Sequence, residues 1–432
     1  MRILLAAGVA ASLFVAHAAA VQQSLSAVEQ RLVAQADASR AEAEQLLERA
    51  VNINSGTMNL AGVKRVGDLF DAEFKALGFK TSWRDGAAFK RAGHLIAERP
   101  GKGLRILLIG HLDTVFEADS PFQKYERINA DTARGPGVID MKGGNVVIVH
   151  ALKALAVANV LDGMAITVVM TGDEEDPGEP LALARQALYE AGKAADIAIG
   201  FENGNNNPAN ANISRRGFTG WTLRVQGTPA HSSQVFTDAV GAGAIYELSR
   251  VLNGFYTRLS TEALLSLNPG LVLGGTTVDF DAGQSRGTAF GKTNVVAEHA
   301  VVTGDLRGIS AQQVESTKTA MQQVVAAHLP KTAAELVFDD SYPPMAPTDG
   351  NRGLLARLSA ASRDLGLGEI TAVDPRAAGA ADISFVANDV DMAIDALGLK
   401  GKADHTVDET ADLRLLPVQI KRAAVLLFRL TH

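Results

Sequence analysis

The chain has 432 residues, a formal net charge of −7, 47% hydrophobic and 21% charged residues, and no cysteine. This is an ordinary globular composition, long enough for two or three domains with large cores. It excludes disulfides, thiolate nucleophiles and Cys-type zinc sites, and the lack of a long basic run argues against a nucleic-acid or anionic-membrane surface.

The first twenty residues, MRILLAAGVAASLFVAHAAA, place Arg2 ahead of an apolar run from Ile3 to Val15 and end in small residues. Ala16-His17-Ala18 and Ala18-Ala19-Ala20 both fit a small-x-small cleavage site. The apolar run is too short to span a bilayer comfortably. The expectation is a secretory signal peptide over 1–20 and an exported protein, periplasmic or secreted, with no membrane span after cleavage.

Residues 22–50, rich in Ala, Glu, Gln and Leu, predict a helix that NINSGTMN (52–59) ends. Val63, Val66, Leu69, Phe70, Phe74 and Leu77 recur near a 3.6-residue period and predict a second helix over 61–77. RILLIG (105–110) reads as a buried strand, 145–159 as a helix, 164–170 as a strand, 179–192 as a helix and 196–202 as a strand. This alternation predicts an α/β domain, a mostly parallel sheet with helices on both faces.

From Ser214 the pattern changes. Half-exposed strands over 218–227 and 293–308 alternate with helices over 239–259 and 310–329, the latter opened by Ser310. That pattern predicts a small α+β domain over 214–337, inserted into a domain made of 21–213 and 338–432. The last helix is expected over 415–430.

Polar clusters follow the apolar strands. VVMTGDEEDPG (168–178) runs into Asp173, Glu174, Glu175 and Asp176, a set of like charges that needs a cation nearby to be tolerated. HLD places His111 and Asp113 past another strand. Residues two apart in an extended segment share a face, so the Asp113 carboxylate is positioned to orient the His111 ring. GFENG places Glu202 past a third. Open α/β sheets bind ligands beyond the carboxyl ends of their strands, so these groups should converge on one rim. ARGPGVIDMKGG holds Asp140 in a glycine-rich loop, and KADHTVDE offers His405 before the last helix. Imidazoles and carboxylates without Cys suit Zn²⁺ best, with Co²⁺ or Mn²⁺ also possible.

Taken in order, H-x-D at 111–113, G-P-G-x-x-D-M-K-G at 135–143, D-E-E at 173–175, the strand-end Glu202, the inserted domain and the late His405 resemble the M20 family of two-metal peptidases. The resemblance is strongest to its glutamate carboxypeptidase branch and covers roughly 40–430. It implies a zinc-exopeptidase-type catalytic domain with a mixed, mostly parallel sheet, and a ferredoxin-like dimerisation and lid domain. It also implies two divalent ions, one held by His111, Asp140 and Glu202 and the other by Asp140, Glu175 and His405, with Asp140 bridging. Glu174 would be the general base, and the peptide bond after Asp140 would be cis.

The implied activity is hydrolysis of the amide bond to the C-terminal residue of peptides or N-acyl amino acids; an N-acyl-amino-acid deacylase or a dipeptidase would use the same site. A non-catalytic binding protein on this scaffold would lack a ligand or the base, and none is missing. By the same resemblance, His231 in GTPAHSSQ would reach the active site of the other subunit in a homodimer. Asn294 in KTNVV and Arg307 in GDLRG would hold the substrate's terminal carboxylate, and Gly379 in AAGAADISF would offer a backbone N–H. Two positions depart from the family. FDDSYPPM (338–345) carries Asp339 and Asp340 where glutamate-releasing relatives carry an Arg-containing stretch, which would favour a basic or neutral side chain. Ala381 stands where the family has Ser or Thr.

Overall fold

The computed structural model describes residues 25–432. The expected signal peptide at 1–20 lies outside the described residues. A six-stranded sheet forms the larger layer, in the order Lys80–Asp85, Gly93–Arg99, Met164–Thr171, Lys102–His111, Ile197–Gly200 and Met392–Ile394. The last four are parallel; the first two pair antiparallel. The sheet is therefore mixed and mostly parallel.

Side-chain alternation explains why both faces are covered. Ile106 and Leu108 join a core with Leu32, Leu46, Phe70, Val147 and Leu426, which come from five different helices. Leu107 and Ile109 point the other way, against Leu188, Phe385 and Val386. Each such buried aliphatic side chain contributes about 2 kcal/mol. A strand with no polar face cannot sit at a wetted edge, so this one lies inside the sheet.

A second core is built from residues between 221 and 338. Its sheet runs Ser266–Gly275, His299–Arg307, Thr219–Gln226, Ala333–Asp340, all antiparallel. Helices Ala244–Leu259 and Ala311–Ala326 cover one face through Leu248, Val251, Phe255, Val314 and Met321. In chain order this is strand, helix, strand, strand, helix, strand, with the first strand beside the last, which is the ferredoxin-like arrangement. The two segments that join the layers lie side by side. Arg215 and Met345 exchange backbone hydrogen bonds at 2.9 Å, and the Phe218 N–H donates to the Tyr342 carbonyl at 2.8 Å.

Several elements differ from expectation. The helix predicted over 22–50 is two, Ala27–Ala38 and Arg40–Val51, because Ser39 leaves helical geometry and donates its hydroxyl to the Ala36 carbonyl. The one predicted over 179–192 breaks at Arg185 into Leu181–Ala184 and Gln186–Lys193. Strands Lys80–Asp85 and Gly93–Arg99 escaped notice, the first being a polar edge strand with exposed or half-exposed residues. So did Ser266–Gly275, whose Pro269 sits at a register shift on a sheet edge, where proline is tolerated, and the hairpin Thr277–Asp281 with Arg286–Phe290. Among the described residues no helix is long and apolar enough to cross a membrane.

Candidate metal centre

The parallel strands deliver their polar clusters to one edge. His111 is the last residue of its strand, Glu174 and Glu175 follow the end of Met164–Thr171, and Glu202 lies two residues beyond Gly200. Asp140 precedes helix Lys142–Val157, and the Asp140–Met141 peptide bond is cis. Gly144 in the first turn allows that helix to approach: a Cβ there would lie 2.0 Å from the carbonyl of Phe201, beside Glu202. Gly137 takes φ 73°, a conformation glycine adopts without strain.

Two groups of donors result, and Asp140 belongs to both. His111, Asp140 and Glu202 form one, Asp140, Glu175 and His405 the other, with the ligand atoms of each within 4.8 Å of one another. His111 Nε2 lies 3.2 Å from Asp140 Oδ1 and 3.6 Å from Glu202 Oε1. His405 Nε2 lies 2.9 Å from Asp140 Oδ2 and 3.3 Å from Glu175 Oε2. Each oxygen of one carboxylate thus faces a different group. Residues of both groups and Glu174 line a cavity of about 280 Å³ that also touches Arg215 and Gly379.

The electrostatics fit a pair of divalent cations. The His111 ring donates from Nδ1 to the Asp113 carbonyl at 3.0 Å, which leaves Nε2 aimed at two carboxylates. Only a positive charge satisfies that arrangement. Glu175 Oε1 is buried with no hydrogen-bond partner. Burial, with the negative charges of Asp382, Glu175 and Asp140, pushes the Glu174 carboxyl well above the usual range, against the opposing effect of His111. Burial does the same to Glu202, reinforced by Asp140 and Glu174. The His405 imidazole is pushed up to about 11, first by its hydrogen bond with Asp140 and then by that with Glu175. Carboxylates that resist ionising and imidazoles that hold protons mark a site short of positive charge. An imidazole-and-carboxylate donor set suits Zn²⁺, Co²⁺ or Mn²⁺.

Buried polar groups hold these donors in place. The Asp113 carboxylate accepts the backbone N–H groups of Glu174 (3.0 Å) and Glu175 (3.1 Å) and the Thr57 hydroxyl (2.7 Å). Asp113 also faces the His111 ring, as expected. Both its carbonyl, at 3.0 Å, and its carboxylate, at 3.4 Å, lie against the His111 Nδ1. The same carboxylate also anchors the acidic loop, a role the sequence did not reveal.

Sequence reasoning missed most of the other supports. Glu409 accepts the N–H groups of Gly137, Ile139 and Asp140 at 2.9–3.2 Å. Asp395 accepts the Glu202 N–H at 3.2 Å and is paired with Arg215 at 2.7 Å. Arg185, fully buried, neutralises Asp173 (2.7 Å) and Asp382 (3.0 Å), which answers the charge problem for the first acid of the run. It also donates to the Tyr342 hydroxyl, which donates to the Glu174 carbonyl at 2.7 Å. Asn206, from a run read as a plain loop, donates to Asp404 Oδ1 and accepts the Gly401 N–H, both at 3.2 Å, and so ties down the loop that carries His405. The one usable signal was Glu409, an acid four residues after His405 in the same polar segment.

Of the residues expected to contact substrate, Gly379 lines the cavity. His231 and Asn294 sit together on the smaller layer, where the Ser232 N–H donates to the Asn294 carbonyl at 2.9 Å, and neither lines the cavity. Arg307 pairs with Asp305 at 2.8 Å outside it. The acids at 339 and 340 do not face the cavity either. Asp340 is taken by Lys318 at 2.6 Å and by the Thr219 hydroxyl, so the preference drawn from this pair is withdrawn.

A carboxylate shared between two His-containing donor groups distinguishes a two-metal hydrolase from a single-metal one, and fold and site together point to that class. The sequence profile of peptidase family M20/M25/M40 matches residues 107–429, and the chain belongs to that family of metallopeptidases. It is 26% identical over 396 residues to carboxypeptidase G2 from Pseudomonas sp. (strain RS-16), covering 89% of this chain and 88% of that protein. Among solved structures it is similar to the aminopeptidase PepT from Bacillus cereus ATCC 10987, with TM-score 0.70 and 16% identity over 93% of this chain and 98% of that one. It is also similar to a dinuclear metal-binding M20 peptidase of Bacillus subtilis, with TM-score 0.62 and 14% identity over 91% and 99%.

Proposed function

We propose that the protein is a carboxypeptidase that releases the C-terminal residue of peptides or N-acyl amino acids. The observation that carries the hydrolytic reading is the placement of Glu174. It lines the cavity with Asp140, Glu202 and His405, and burial pushes its carboxyl well above the usual range, so that it can carry a proton there. His111, Asp140 and Glu202 would hold one divalent ion, and Asp140, Glu175 and His405 the other, Zn²⁺ suiting the donors best. Such ions, when bound, polarise a carbonyl and acidify water.

The chain's own groups do the rest. Glu174 takes the proton of the attacking water on its carboxylate and returns it to the leaving amine. Asp113 keeps Glu174 and Glu175 in register by holding their backbone N–H groups. Tyr342 fixes the Glu174 carbonyl from the opposite side. The choice of the C-terminal end is supported by the similarity to carboxypeptidase G2 along most of both chains.

The test is hydrolysis by purified, metal-loaded protein of peptides blocked at either end, free dipeptides and N-acyl amino acids. Release of the C-terminal residue from amino-blocked peptides is expected. Cleavage restricted to free dipeptides or to N-acyl amino acids would replace this reading with a dipeptidase or a deacylase, and cleavage only at a free amino end with an aminopeptidase.

A homodimer through the smaller layer completes the proposal. It is supported by the exposed Phe236, Ile245 and Tyr246 on that layer and by the position of His231 outside its own cavity. Mixing inactive Glu174→Ala and His231→Ala subunits should restore activity; no rescue would remove the cross-subunit role of His231. Export, supported by the pattern of residues 1–20, predicts a mature chain beginning near residue 19 or 21 on N-terminal sequencing.

A further inference from the structure

The stretch that follows Glu202 forms one wall of the metal-centre cavity, and its backbone is pinned at two successive residues. The Glu202 N–H donates to Asp395 at 3.2 Å, and the Glu202 carbonyl accepts the Gly398 N–H at 3.1 Å. The next carbonyl, that of Asn203, accepts the Lys400 ammonium at 2.8 Å and the Asn206 N–H at 3.2 Å. Lys400 is buried and also donates to the Ala396 carbonyl at 2.6 Å. Backbone held in this way cannot turn to bring a side chain to a new partner.

The Asn203 side chain lacks one. The residue is 5% exposed, and its Nδ2 is buried with no hydrogen-bond acceptor. Asn203 lines the cavity with Glu174, Glu202 and His405. Of the described residues lining that cavity, it is the one with a buried, unpartnered side-chain atom. Buried donors left without an acceptor are rare because they cost free energy, and a ligand that supplies the acceptor removes the cost.

The chemistry of the wall selects the acceptor. Arg215 is spent: its Nε and Nη2 donate to Asp395 at 3.0 and 2.7 Å, and its Nη1 donates to the Gly379 carbonyl at 2.5 Å. A carboxylate would call for a free cation here, and the open donor is a neutral amide. Such a donor suits a carbonyl oxygen, which is neutral in the bound substrate and turns negative only on attack. A fixed donor aimed at that oxygen acts mainly in the transition state.

We propose that Asn203 is a catalytic residue that donates its side-chain N–H to the oxygen of the scissile carbonyl. As the water oxygen bonds to the carbonyl carbon, Glu174 takes a proton from the water and the carbonyl electron pair moves onto the oxygen facing Asn203. When the C=O bond re-forms, the C–N bond breaks and the amine leaves with the proton from Glu174. This deepens the hydrolytic reading above and rests on it, but not on which end of the substrate is released.

The test compares the metal-loaded full chain with Asn203→Leu and Asn203→Val, which carry no side-chain donor. On an amide substrate that the wild type cleaves, kcat should fall about 10²–10³-fold with KM little changed. A phosphinic peptide, whose tetrahedral phosphorus and charged oxygen mimic the attacked carbonyl, should lose affinity by the same factor, while the cleavage products bind as before. Neither variant strands a partner, so without substrate the urea midpoint should not fall and two metal equivalents should remain. A kcat near the wild-type value, a loss carried by KM alone, or undiminished phosphinate binding overturns the proposal. So does a lower urea midpoint or a lost metal equivalent in both variants, which would make the amide structural. If the wild type cleaves no amide substrate, the hydrolytic reading fails, and calorimetry with the phosphinic peptide decides the donor alone. Binding to the wild type that both variants weaken supports it; equal binding, or none, overturns it.

Discussion

Replacing His405 by Ala separates the two donor groups more cleanly than any other change. Its Nε2 faces Asp140 and Glu175 but neither His111 nor Glu202, so the substitution removes one of three donors from one group and none from the other. The side chain is 55% exposed, so lost packing should cost no more than about 0.5 kcal/mol. Changes to groups that merely orient a metal ligand weaken binding about 10–100-fold, so loss of a direct donor should weaken the second ion by at least about 100-fold. At free metal near 100 times Kd, each intact site adds about 2.7 kcal/mol to folding stability, and a site weakened 100-fold adds only about 0.4. Two-site stabilisation of about 5.4 kcal/mol should therefore fall to about 3. The assays are calorimetric metal titration of chelator-stripped protein and denaturation with and without metal. Asp140→Asn is the control, because it touches both groups and should weaken both equivalents. Two tight equivalents in His405→Ala, or the loss of both together, would refute the division of ligands.

Glu174→Gln should lower kcat by about 10²–10⁴ while leaving two metal equivalents in place, as measured by metal analysis beside steady-state kinetics. Asn206→Ala frees the loop around Asp404 and should weaken the second metal equivalent about 10-fold without changing the first, by the same titration. His150 is buried with both ring nitrogens unpartnered, and burial pushes it down to about 4 from 6.5. The unfolded chain takes up that proton below pH 6.5 and the folded chain does not until about 4. Stability is therefore lost as pH falls through that window, by at most about 3 kcal/mol. His150→Leu in metal-free protein should flatten this acid loss between pH 7 and 4.5 in urea denaturation; an unchanged difference between wild type and variant across that range would count against the assignment.

What could be read locally was read well. Apolar runs ending in polar clusters located the strand ends, and His111, Asp140, Glu175, Glu202 and His405 each lie in a short segment whose pattern announces a turn or loop beside a buried element. Those residues do fall into two groups around Asp140. The elements overlooked were those whose signal is weak by nature: a polar edge strand at 80–85, a strand interrupted by Pro269, and a helix break at Arg185 that answers a distant demand for charge at Asp173 and Asp382.

By itself, then, the amino-acid order determined the α/β alternation, an α+β insertion and the candidate donors, because each is written in spacings of a few residues, while the ferredoxin-like strand order came only from the fold. Only the folded chain decided what those donors lean on. Glu409 reaches back about 270 positions to the Asp140 loop, Asp395 reaches 193 to Glu202, and Arg215 reaches 180 to Asp395. Such partnerships have no periodicity to reveal them. They arise because buried charges and backbone N–H groups must each find a counterpart in space, and the packing of distant elements determines which one is within reach.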